Sequence, residues 1–168
     1  MAIRSSGKRE RPGPGQESVW DYPRPPRLER SSASIVIEFG GQILVRTERS
    51  YRVLETSHPP VHYIAISDVT GGALRPADRR SWCEWKGEAA YYDVVLGNRS
   101  EAAAAWWYPQ PTRPFAELAD HVAFYPGRMD SCSLDGERVE AQSGDFYGGW
   151  RTSRVVGPFK GGPGTWGW

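Results

Sequence analysis

Thiols are scarce in this chain. Cys83 and Cys132 are the only two cysteines among 168 residues, and no Cys-x-x-Cys pair occurs. A disulfide framework or a paired-cysteine zinc site needs more. Three histidines, His58, His62 and His121, complete the metal-prone residue types. Their spacing matches no usual zinc pattern, and Pro59-Pro60 keeps His58 and His62 off a shared helical face. The expectation is no metal and no cofactor. A long apolar run is also missing, as is the apolar core of a signal peptide. That points to a cytoplasmic protein with free thiols and no membrane contact. Strong net charge is missing too. Lys and Arg number 21 against 20 Asp and Glu, a net +1, which excludes the basic face of a general nucleic-acid binder. Gly-x-Ser-x-Gly, the phosphate-binding Gly-x-x-x-x-Gly-Lys and His-Glu-x-x-His do not occur, so no standard catalytic signature is available. Leucine is sparse, at 7 against 18 Val plus Ile, which favours strands over helices.

What the chain does have is 19 Gly, 14 Pro and 8 Trp. Such a length suits one domain, or two small lobes sharing a core. Residues 1–17 read as a flexible basic arm, since residues 1–30 carry seven Arg/Lys and four Asp/Glu. Trp20 to Pro26 is proline-rich and extended. Ile35–Phe39 and Gln42–Val45 form a hairpin about Gly40-Gly41. Further strands are expected over Tyr51–Leu54, Val61–Ile66, Ala89–Leu96, Ser100–Tyr108, Val122–Tyr125 and Ser131–Leu134. The run Ala102–Ala105 favours helix on propensity alone. Gly97-Asn98 before it and Trp106-Trp107-Tyr108-Pro109 after it favour the return strand of a hairpin. One short helix is expected over Pro114–Asp120, capped by Thr112.

The expected fold is mainly β: two small β lobes packed together, with one short helix and an irregular C-terminal strap. The β domain covers 18–140, with a pseudo-repeat relating 34–74 to 89–134. Residues 141–168 alternate glycine with large aromatics. They read as an ordered strap in which Phe146, Tyr147, Trp150, Phe159, Trp166 and Trp168 are partly buried.

Two clusters carry the candidate chemistry. Lys86, one of only three lysines, sits between Trp85 and the Tyr91-Tyr92 pair. A lysine beside aromatic faces suits anion binding or cation–π contact. If desolvated, its amine would drop in pKa and could serve as a base or form an imine. Its stem could equally pack on indole while the amine pairs with Glu84 or Glu88. The second cluster is Glu55, Ser57, His58 and Tyr63, held by the rigid Pro59-Pro60 corner. With Trp106 these give the candidate ligand-binding set Glu55, Ser57, His58, Tyr63, Trp85, Lys86, Tyr91 and Trp106. The expected partner is a small organic or anionic molecule in a cleft between the lobes. Two alternatives stand: an enzyme using Lys86, Cys83 or Glu55, and a protein-interaction module using the Trp-rich tail.

Three strings carry a family resemblance: Val53 to Pro60, Trp82 to Tyr92, and Ala105 to Pro111. Together they resemble the DUF427 domain proteins, a nucleotidyltransferase-like family. Similarity runs from Val19 to Val139. Glu55, Ser57, Pro59, Tyr63, Cys83, Trp85, Lys86, Gly87, Tyr91 and Trp106 occupy its recurring positions. The resemblance implies a small, mostly β fold of two lobes, in part like the β-tent architecture. Paired cysteines hold a metal in zinc-bearing β-tent proteins. This chain lacks them, so the resemblance carries over no metal ligand. Nor does it supply a set of catalytic residues.

Overall fold

The computed structural model describes residues 8–144 and 146–168. In chain order the strands are β1 (Glu17–Ser18), β2 (Arg27–Ser31), β3 (Ile35–Phe39), β4 (Gln42–Thr47), β5 (Ser50–Leu54), β6 (Val61–Ala65), β7 (Leu74–Cys83) and β8 (Gly87–Leu96). They continue as β9 (Arg99–Trp107), β10 (His121–Phe124), β11 (Ser131–Leu134), β12 (Glu137–Arg138), β13 (Glu140–Ala141), β14 (Trp150–Arg151) and β15 (Val155–Val156). Seven of them form one antiparallel sheet in the order β2-β5-β6-β10-β9-β8-β7. Four form a second sheet, β12-β11-β3-β4. No helix among the described residues is long and apolar enough to cross a membrane.

Side-chain alternation divides the large sheet into two faces. One face meets the small sheet. There Ile64, Val94, Val122 and Phe124 pack on Ile35, Ile37, Phe39 and Leu44, all buried. The opposite face carries Val53, Tyr63, Ala89, Tyr91, Trp106 and Ala123. The expected mainly β fold of two packed layers is thus present. Its two His-bearing strands, β6 and β10, lie side by side, with Val122 opposite Ile64.

Local turn chemistry accounts for the hairpins. Gly40 and Gly41 both take positive φ, 62° and 73°, as a two-residue hairpin turn requires. The Ala102–Ala105 run is strand, as part of β9. Ala103 sits at φ 48°, and its N–H donates to Asp93 Oδ1 at 2.8 Å, across the irregularity between Tyr92 and Val94. Helix propensity loses here because pairing on both sides of β9 satisfies its backbone.

Several expectations need correction. β2 and β7 carry no strand signal in the sequence. They are the two charged edges of the large sheet, neither with a buried residue, and β7 tolerates Pro76 because an edge has free backbone. The short helix is a 3-10 segment over Arg113–Leu118, ending before Asp120, which takes φ 61° ahead of β10. Thr112 does not cap it through its side chain. Its hydroxyl donates instead to Trp85 O at 2.5 Å.

The strap is docked, though not by every aromatic expected. Trp150 is 1% exposed in the inter-sheet core. Tyr147, Phe159 and Trp168 are half-buried, whereas Phe146 and Trp166 are 67% and 86% exposed. Of the expected basic arm, residues 1–7 lie outside the described residues. From Glu10 onward it is tied to the strap: Glu10 N donates to Gly157 O at 3.0 Å, and β1 pairs in parallel with β15.

Candidate functional site

Three separate backbone devices converge on one face of the large sheet. The first is the turn between β7 and β8. Gly87 begins β8 at φ 104°, a conformation that suits glycine. Thr112 clasps this turn, its N–H on Lys86 O at 3.0 Å and its hydroxyl on Trp85 O. Lys86 is thereby turned inward and is 8% exposed.

The second device is strand register. Tyr91 and Ala123 lie opposite Trp106 from either side, across β8, β9 and β10. Trp106 Nε1 donates to Tyr63 Oη at 3.3 Å, and its ring lies 4.5 Å from that of Tyr125. Tyr91 Oη shares a 2.9 Å hydrogen bond with Ser81 Oγ. The result is an aromatic wall with inward-facing hydroxyls.

The third device is the corner between β5 and β6. Glu55 and His58 face the wall, their Oε2 and Nε2 being 3.5 Å apart. Gln142 of the strap donates to His58 Nδ1 at 3.0 Å and to Lys160 O at 2.7 Å. With Nδ1 accepting, the hydrogen of neutral His58 sits on Nε2, toward Glu55.

These devices enclose a cleft of about 280 Å³. Glu55, His58, Tyr63, Trp85, Lys86, Tyr91 and Trp106 all line it. Ser57 does not. It is fully buried at φ 71°, with its N–H on Val19 O and its carbonyl accepting from Lys160 N. The corner's own fold uses Ser57, and its hydroxyl has no hydrogen-bond partner among the described residues. The cleft is also not between the two sheets. It opens on the far face of the large sheet, and the strap, through Gln142, Tyr147, Gly148 and Lys160, forms its other side. The sequence reading placed the strap on the core but did not assign it to the site. One signal existed: two of the three lysines, Lys86 and Lys160, line this cleft. Tyr108 lies in the Ala105 to Pro111 string without being marked as a site residue, and nothing in the sequence singles out Gln142.

The electrostatics differ from the expectation for a desolvated amine. Burial is the largest influence on Lys86 and pulls it down; Tyr63 and Cys83 push it up only in their ionised forms, Glu55 adds to that push, and the net direction is upward. Its Nζ lies 5.7 Å from the ring centres of both Tyr108 and Phe115. His58 is pushed down to about 4, by burial first and then by Lys160 and Arg24. His58 is therefore neutral at physiological pH, and its contact with Glu55 is not an ion pair. Burial pushes Tyr63 and Tyr108 up, so both are neutral phenols.

The family model described as a domain of unknown function, DUF427, matches residues 27–135. The chain belongs to the DUF427 family. No curated protein matches it. Every cleft residue from Val53 to Tyr125 falls inside the DUF427 span, whereas the strap side of the cleft lies beyond it. The site of this DUF427 chain is therefore built from the family domain and an additional segment.

Proposed function

We propose that this DUF427 chain binds a small organic anion in the cleft, with Lys86 as its charge partner. One observation carries the reading. Lys86 is buried and lines an aromatic-walled cleft, and among the described residues its ammonium makes no hydrogen bond or ion pair. An ammonium has three N–H donors to satisfy. Buried charge without a good partner is costly, and such positions concentrate at functional sites. An anionic oxygen would fill the vacant donors, while Trp106, Trp85 and Tyr125 would cover an organic body.

The enzyme alternative weakens at Lys86. Imine chemistry and base catalysis need a neutral amine, whereas the net shift at Lys86 is upward. His58 is no free base either, since Gln142 occupies Nδ1. The interaction-module alternative has Trp166 and Phe146, which are 86% and 67% exposed. Phe146 belongs to the cleft lining and Trp166 does not, so the two are not shown to form one contiguous apolar patch.

The test is extraction and mass spectrometry of small molecules held by purified wild type and Lys86→Met. The expected outcome is an anion retained by wild type and depleted about tenfold or more in the variant, as loss of one charge partner predicts. Methionine matches lysine in shape without its charge, so the variant should fold within about 1 kcal/mol of wild type. Equal retention by two equally stable proteins would overturn the reading.

A further inference from the structure

We infer that the cleft takes an aryl monocarboxylate: one planar aromatic ring bearing a single carboxylate. The inference rests on the anion-binding reading above and narrows it. Charge sets the first limit. The lining carries two lysines, Lys86 and Lys160, and two glutamates, Glu55 and Glu84. The Lys160 ammonium already donates to Trp168 O at 3.1 Å, so Lys86 alone is poised for an anion. A second negative charge on the ligand would meet Glu55 or Glu84 across a small space. A monoanion fits, and a phosphate dianion or dicarboxylate does not.

Size sets the second limit. A volume of about 280 Å³ lies at the small end for organic ligand sites, enough for one ring with a short acid arm and too little for a nucleotide.

The rim sets the third. Trp82 on β7 and Phe146 on the strap are 73% and 67% exposed, yet both belong to the lining of this one cleft. They reach its mouth from opposite parts of the sequence. Half-buried Trp85 and Tyr125 continue the same surface inward. Ring faces and edges of this kind favour an aromatic guest over a saturated one of equal area, because aromatic quadrupoles attract in offset and edge-on geometries.

Calorimetric titration of the full chain with three probes tests this: phenylacetate, its saturated counterpart cyclohexylacetate, and neutral phenylacetamide. Phenylacetate should bind at least about tenfold more tightly than either of the others. Trp82→Ser with Phe146→Ser, both at exposed positions, should bring phenylacetate down to the level of cyclohexylacetate without lowering the melting temperature. Cyclohexylacetate binding as tightly as phenylacetate overturns the aryl class and leaves the anion reading standing. Phenylacetamide binding as tightly as phenylacetate overturns the anion reading and this inference with it. No binding of any probe overturns both.

Discussion

His62 lies buried against Trp150, ring centres 4.9 Å apart, with its Nδ1 unpartnered among the described residues. Burial first, and then Arg52, pushes it down to about 3. His58 is pushed down to about 4. In the unfolded chain both would titrate near the ordinary histidine value. Their folded values lie below it, so the unfolded state binds more protons at acid pH. Above pH 6.5 the two histidines add no pH dependence. As pH falls from 6.5 toward 4, each removes about 1.4 kcal/mol of stability per unit. Denaturant midpoints should therefore drop between pH 6.5 and 5, before carboxylates begin to titrate. His62→Phe, which keeps a ring on Trp150, should make that slope shallower by about one proton. An unchanged slope would mean that His62 titrates normally and is not buried as described. Ser57 makes a related point at this scale. Its place in the polar corner suggested a ligand contact, and its left-handed backbone turns it into the fold instead.

At the scale of elements, strands in the interior of the sheets were legible because apolar residues recur every second position and Gly-Gly or Asp-Gly closes the turns. The edge strands of the large sheet were not. β7 reads as charged loop, and only its pairing with β8 makes it a strand. The strap was legible as glycine-rich, but the purpose of each glycine was not. A Cβ on Gly148 would run into the six-membered ring of Trp106, whereas one on Gly162 would meet nothing. Gly148→Ala should therefore lower stability by about 1–3 kcal/mol, the usual range for overpacking. It should also weaken ligand binding by shifting one side of the cleft. Gly162→Ala should be silent in both assays. Equal effects from the two, in chemical denaturation, would mean that the strap does not rest on Trp106.

For the whole molecule, the decisive feature is that the strap enters the main core. Trp150 packs among residues of both sheets, and its indole N–H reaches Phe124 O at 3.4 Å. Trp150→Ala should cost about 3–5 kcal/mol, as large-to-small core changes do. Against a total of about 5–15 kcal/mol, that is enough to unfold a marginal domain. Trp166→Ala should stay within about 0.5 kcal/mol, as an exposed position does. Thermal melting of the two variants checks both values. If they melt alike, the strap is not integral to the fold.

The sequence by itself determined the mainly β class, most interior strands, the family and the residues worth testing. Those features are local: side-chain period, turn glycines and rare-residue strings survive without knowledge of neighbours. Only the tertiary structure decided that Lys86, Glu55, His58 and Trp106 share one cleft, that Ser57 stands behind it, and that the strap closes its side. These outcomes depend on register between strands distant in sequence and on which sheet face each residue takes. The protonation of Lys86 and His58 belongs to the same group, because burial and neighbouring charges exist only once the chain has folded.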